Sequence, residues 1–313
     1  MKNYFKFNLT GRKLLPIWMF FLIAFFVPYL TLIIKMQNVQ PGTNFSLLFF
    51  PIFILLMIIV SVLTFYLVKL TIENISFKDK TIVFNGSFGN YIGTVLLGMF
   101  LSFITLGVYM AWIIRNIHRF FIDHSSHDSN AFKFQGKGGD LFVILLLTLI
   151  VPIILFTIVM FAFISNNSEQ IYVMAAIQQL VIWLIMVPYM YYVYKWMVNV
   201  DYKDYNISWK TNFWSSCGKI AIEMFLSIIT LGIYWPMAVL RLYKYFTERT
   251  IADSNERKLK FGFDMDPLND FLFIWGQALL VIITLGIYYS WAFCKIGSRI
   301  LGKTYLTENN AIE

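Results

Sequence analysis

The chain has 313 residues, a formal net charge of +8, 59% hydrophobic residues and only 13% charged ones. With a mean hydropathy of +0.68, this composition excludes an ordinary soluble globule, whose apolar share is nearer one half. The positive charge does not call for nucleic acid, because Lys and Arg gather on the cytoplasmic side of membrane proteins.

The N-terminus places basic residues before an apolar stretch, as a signal peptide does. The apolar run outlasts a typical signal core and no A-x-A-like cleavage site follows, so an uncleaved first span is expected. Charge-free runs at Leu14–Ile34, Phe45–Val68, Leu141–Ile164 and Ile171–Tyr194 each suit a bilayer crossing, which takes about 20 apolar residues. Aromatic residues crowd their ends, as in Tyr189–Trp196, where amphipathic rings suit the headgroup level. After the second run, Asn74–Phe77 and Thr81–Phe84 alternate around the polar turn Lys78-Asp79-Lys80 and read as a β-hairpin. Lone hairpins are marginal in water, so the strands are expected to pair as a small cytoplasmic sheet under the membrane.

One phrase occurs three times: Thr105-Leu106-Gly107-Val108-Tyr109, Thr230-Leu231-Gly232-Ile233-Tyr234 and Thr284-Leu285-Gly286-Ile287-Tyr288. Each copy interrupts an apolar run and is followed by basic residues. Gly107, Gly232 and Gly286 are the expected breaks, since Gly most easily ends a helix in the left-handed conformation. The arms on either side, such as 93–104 and 109–121, are too short to cross. If every apolar run crossed, Lys and Arg would divide almost evenly between the two sides. If only the charge-free runs cross, every Lys and Arg except Lys35 lies inside, and the second external loop, 165–170, carries only Glu169. The positive-inside rule prefers the second arrangement; a kinked span followed by an amphipathic helix is the alternative.

The repeat therefore reads as unit one at 4–125, unit two at 131–250 and a partial third unit at 256–313. The expected fold is an α-helical integral membrane protein of parallel internal repeats. It has about four full spans, three re-entrant or half-embedded helical hairpins and short cytoplasmic β-strands, and its N-terminus is cytoplasmic.

Ile82, Phe84 and Gly86 stand before Thr105–Tyr109, and Phe132, Phe134 and Gly136 before the third span. Thr230–Tyr234 is followed by Pro236, Arg241 and Tyr245, and Thr284–Tyr288 by Trp291 and Lys295. These residues resemble the YjgN-like family of bacterial inner-membrane proteins, a domain family without established function. Met110-Ala111-Trp112 and Tyr289-Ser290-Trp291 lack the family's proline, and Trp209–Cys217 lacks a clean F-x-F-x-G. The resemblance implies a bacterial inner (cytoplasmic) membrane location and a repeat architecture, and no chemistry.

Arg115 with Arg119, Arg241 with Lys244, and Lys295 with Arg299 each share a helix face and follow Trp112, Trp235 and Trp291. They are candidate contacts to anionic lipid headgroups, by interfacial anchoring or at a shared anion site. Glu223, one turn after Lys219, is the one acid well inside an apolar run and is a candidate intramembrane polar site; an i,i+4 ion pair is the plainer account. Gln178, Gln179, Thr148 and Thr157 suit helix packing or a polar path. His118, His124 and His127 with Asp123 and Asp128 fit no metal-ligand spacing. Cys217 and Cys294 fit neither a disulfide framework nor a zinc site. No phosphate-loop, nucleophile-elbow or zinc-protease motif occurs. No enzyme activity, metal or cofactor is expected. The function expected is movement or gating of a small solute or lipid; the alternative is a membrane scaffold or lipid-binding protein that recruits partners through its basic cytoplasmic face.

Overall fold

The computed structural model describes residues 2–37, 49–166 and 171–309; the two expected external loops lie largely outside them. Within that range one motif recurs five times: a strand, two antiparallel helices, and a returning strand. The first copy runs β1 (Lys2–Phe7), α1 (Gly11–Gln37), α2 (Phe49–Glu73) and β2 (Ile75–Phe77). The second runs β3 (Lys80–Thr81) and β4 (Val83–Phe84), α3 (Phe88–Ile104), α4 (Met110–Asp123) and β5 (Ser125–His127). In the third, β6 (Asn130–Phe134) leads to α5 (Gly138–Leu145), which continues through a π-helical stretch at Leu146–Ile150 into α6 (Val151–Asn166); α7 (Ile171–Met197) and β7 (Val200–Tyr202) return. The fourth comprises β8 (Tyr205–Trp209), α8 (Phe213–Ile229), α9 (Trp235–Thr247) and β9 (Thr250–Asp253). The fifth comprises β10 (Lys258–Phe263), α10 (Pro267–Ile283), α11 (Tyr289–Gly302) and β11 (Thr304–Asn309).

The strands make one 11-stranded antiparallel sheet in the order β3-β2-β1-β11-β10-β9-β8-β7-β6-β5-β4. Its first and last members, β3 and β4, are halves of one extended segment, so the sheet closes on itself almost completely. Because neighbours are antiparallel, tight turns such as Lys78-Asp79 and Asp128-Ser129, with φ of 49 and 59 and of 52 and 62, occupy one rim. All five helix pairs rise from the other. Neighbouring pairs then pack side by side: α2 on α3, α4 on α5, α7 on α8, α9 on α10 and α11 on α1.

Period-two alternation sets the two faces of this ring. Rings on strands that are not neighbours converge on one face, with Phe5 and Phe261 stacked at 6.3 Å across β11, so that face is concave. It carries Phe5, Phe77, Ile82, Phe132, Val200, Ile207 and Phe261. The outer face carries Lys6, Lys133, Asp201, Asn206 and Lys260. One inward aromatic closes the base of every unit: Phe7, Phe84, Phe134, Trp209 and Phe263 are all buried. The next residue donates its backbone N–H to the chain leaving the second helix, in the pairs Asn8–Asn74, Asn85–His124, Gln135–Asn199, Lys210–Arg249 and Asp264–Lys303, at 2.9 to 3.0 Å.

The expected fold class, an α-helical protein with short cytoplasmic strands attached, is therefore corrected. The strands are short, but they form a single barrel-like sheet from which every helix pair is hung. The physical reason is closure: a two-stranded hairpin alone is marginal, whereas a ring leaves almost no unpaired edge. The boundaries read from the repeat, near 125–131 and 250–256, fall at the β5–β6 and β9–β10 turns.

Asp264, just after β10, reaches across β11 to β1 and accepts Lys2 Nζ at 2.7 Å and Tyr4 OH at 2.7 Å. The Lys2 hydrogen bond holds the Asp264 carboxyl below its usual value of 3.8. A depressed carboxyl adds stability that is present above the unfolded value and fades as pH falls through the folded one. Both side chains are over two-fifths exposed, so the contribution is at most about 1 kcal/mol. Asp264→Asn is expected to lower the denaturant midpoint at neutral pH, with the gap to wild type shrinking as pH falls below 3.8; a gap that does not change with pH would refute the assignment.

Candidate functional site

Each of the three Thr-Leu-Gly runs is a helical hairpin whose two ends stand on adjacent strands. In the first, the turn is a Schellman motif: Gly107 N–H reaches Ser102 O at 2.7 Å and Leu106 N–H reaches Phe103 O at 3.3 Å. Thr105 Oγ1 donates to Leu101 O at 2.8 Å and accepts Tyr109 N–H at 3.0 Å; Thr230 and Thr284 repeat this. The glycines do adopt positive φ, at 90, 86 and 90, but the left-handed break begins one residue earlier, at Leu106, Leu231 and Leu285, with φ of 50 to 51. A left-handed leucine costs about 1–2 kcal/mol. All three are at the hairpin tips, 94%, 93% and 90% exposed. Tip carbonyls are met by indoles of the neighbouring pair: Trp18 Nε1 donates to Gly286 O and Trp275 Nε1 to Ile233 O, each at 2.9 Å.

At about 1.5 Å per residue, α3 at 17 residues falls about 15 Å short of α1 at 27. Among the described residues, four helices are long and apolar enough to cross a membrane: Gly11–Ile34, Pro51–Glu73, Gly138–Ala162 and Ile177–Met197.

The largest described cavity, about 710 Å³, opens between the helices and the concave face of the ring. Thr64, Val68 and Ile72 of α2 and Ile114, Ile117 and Phe121 of α4 form one side; Ile82, Phe132, Val200 and Ile207 extend it across the strands. His118 and Ser125 are its most polar lining groups. His118 Nε2 lies 3.2 Å from Met197 O, and burial lowers its pKa.

The predicted polar residues find partners mostly inside their own hairpins. Glu223 is fully buried; its Oε1 accepts Lys219 Nζ at 2.6 Å and lies 3.9 Å from Arg241, and its Oε2 accepts Tyr234 OH at 2.7 Å. In α10 and α11, Tyr288 OH donates to Gln277 Oε1 at 3.1 Å and accepts Lys295 Nζ at 2.9 Å. Asp270, 1% exposed, accepts Arg299 Nε at 2.6 Å and Lys303 Nζ at 2.5 Å. Lys244 is 3.7 Å from Glu248, and Arg119 Nε donates to Asp123 Oδ2 at 2.8 Å. Arg115 reaches Asn116 Oδ1 at 2.9 Å and Gly136 O at 3.4 Å. The six basic candidates are thus divided among three separate hairpins.

His124 Nδ1 faces Phe120 O at 2.8 Å, and His127 lies between Tyr202 OH and Phe77 O at 3.0 Å each. Among the described residues no three His, Cys, Asp or Glu side chains converge. Tyr234, Tyr288 and Gln277 were not singled out from sequence, although the tyrosines lie in the repeated phrase and Glu223 and Gln277 stand equally far before it.

A nearly closed antiparallel ring carrying five helix pairs, four of whose helices can cross a membrane, defines the class. The chain belongs to a bacterial protein family of unknown function, DUF898, whose model matches residues 2–262; this is the YjgN-like family. No curated protein and no solved structure matches the chain.

Proposed function

We propose that this is a non-enzymatic, multi-pass protein of the bacterial inner membrane that shelters or moves a lipid, with an acyl chain held in the cavity above the strand ring. The observation that carries this reading is the cavity itself: about 710 Å³, lined by Val, Ile and Phe, the chemistry of a hydrocarbon ligand rather than an ion. The placement follows from charge, since the rule that Lys and Arg collect inside puts the ring and the N-terminus in the cytoplasm. The tips at Leu106, Leu231 and Leu285 favour half-embedded hairpins: burying a leucine in lipid returns about 1.5–3 kcal/mol against its left-handed strain. Glu223 and Asp270 are matched internally, which disfavours coupling to an ion gradient.

The test fills the cavity and follows the lipid. Ile117→Trp and Val200→Trp are expected to reduce phospholipid retained by the purified full chain and lipid exchange between leaflets of proteoliposomes, with the thermal midpoint near wild type. Unchanged retention and exchange in both variants would sink the reading. Single cysteines at Ser126, Asn206 and Asn255 are expected to label from the cytoplasmic side alone; labelling of any of them from outside would overturn the orientation. The outward Lys6, Lys133 and Lys260 favour, as a second reading, a scaffold that binds partners on the ring; proteins lost on mutating these lysines, with lipid retention intact, would favour it.

A further inference from the structure

Counting from the phrase brings the three short hairpins into one register. Seven residues before the turn threonine stand Glu223 in α8, Gln277 in α10 and Gly98 in α3. Four residues after the tyrosine, the order of size reverses: Ala238 in α9 and Ala292 in α11, but Ile113 in α4. A Cβ on Gly98 would lie 2.5 Å from Ile113 Cγ1, so isoleucine takes volume that the long polar side chain uses elsewhere. The carboxylate is lost together with its partners, Thr94 standing for Lys219 and Asn116 for Arg241, and the cleft's positive charge comes instead from Arg115 and Arg119.

Tyr234 and Tyr288 spend their hydroxyls on Glu223 and Gln277, whereas the Tyr109 hydroxyl meets no hydrogen-bond partner among the described residues. Arg115 touches only neutral oxygens, those of Asn116 and Gly136. Between α3 and α4 remains a cleft of about 330 Å³, lined by Thr94, Gly98, Tyr109, Arg115, Asn116 and Arg119 among others. Asp123 also borders it, but its oxygens are engaged by Arg119 Nε and by the Phe134 N–H, each at 2.8 Å.

We propose that this cleft binds a phosphate group where Glu223 puts a carboxylate in the fourth unit. Arg115 supplies a guanidinium fork suited to two phosphate oxygens, and Tyr109 donates a further hydrogen bond. The phosphate can come from a phospholipid headgroup or from free phosphate. Leu97, on the cleft wall, is 60% exposed and Phe100, one turn on, 61%, an apolar flank that suits acyl chains and favours the lipid. The cleft and the apolar cavity lie on opposite faces of α4, so this site stands or falls independently of the acyl-chain reading.

The experiment uses the full chain purified in mild detergent, with phosphatidylglycerol retention read by native mass spectrometry and inorganic phosphate read by the shift in thermal midpoint. Arg115→Gln is expected to lower retention about tenfold, the effect of one lost charge-assisted hydrogen bond. The double variant Gly98→Glu/Ile113→Ala, which installs the fourth unit's pair, is expected to do the same by self-neutralising the cleft. Lys258→Gln, which only loosens the exposed contact to Asp253, should bind as wild type. Loss in the phosphatidylglycerol arm assigns a lipid headgroup; loss of phosphate protection alone assigns free phosphate; both support the site. Should the double variant fail to fold, Arg115→Gln compared with Arg115→Lys carries the test. Equal binding of both probes by wild type and Arg115→Gln overturns the proposal.

Discussion

Trp209→Ala is expected to cost about 3–5 kcal/mol, the usual price of truncating a buried indole, and to leave little folded protein. Trp209 is 1% exposed at the base of the fourth unit, packed with Tyr191, Ile220 and Phe246 from all three neighbouring helices. Its removal would open a void where the strand ring meets α7, α8 and α9. Trp209→Phe should behave differently, because phenylalanine holds the same place in the other four units. That substitution also removes a buried Nε1 that has no hydrogen-bond partner among the described residues, offsetting part of the lost volume. Thermal or denaturant unfolding of both variants in detergent checks this; a phenylalanine variant as damaged as the alanine one would refute the equivalence of the five aromatics.

Glu223→Ala is the second large effect, expected at about 2–3 kcal/mol. The variant strands Tyr234 OH and leaves Lys219 and Arg241 without their counter-charge. The cost stays below that of a fully buried pair, since the two basic side chains are 34% and 46% exposed and can turn toward water. Glu223→Gln should lose only about 1 kcal/mol, for the fifth unit already works with Gln277 against Tyr288. Lipid exchange by Glu223→Gln should equal that of wild type. A variant that stays folded yet loses exchange would move Glu223 from a structural role to a functional one.

Much of this architecture was legible in the sequence. Hydropathy located the four long helices to within a few residues, because twenty apolar residues leave few other options. The phrase ending in Tyr109, Tyr234 and Tyr288 marked where the three short helical hairpins turn. The fivefold motif was hidden because two copies carry long helices and three carry short ones, so hydropathy sorts alike units into unlike classes. The ring was hidden for another reason. Strands of two to six residues signal weakly, and Phe7, Phe84, Phe134, Trp209 and Phe263 lie too far apart for their common role to emerge without coordinates. Of the polar groups, Glu223 with Lys219 was readable as an i,i+4 pair. Tyr234 was not, since its contact depends on a hairpin folding back eleven residues later. The Gly98 cleft is legible only as a difference between copies already aligned in space.

Four of the junctions between successive units are short links between antiparallel strands, and the fifth is the side-by-side meeting of β11 with β1, where Tyr4 faces Tyr305. Nothing in the pairing distinguishes that junction from the others. A circular permutant joined there by a short linker and opened between Asp128 and Ser129 retains every strand neighbour and every helix pair. Which pair the ribosome delivers to the membrane first is therefore free to change while the finished object stays the same, and order of insertion can be varied separately from structure.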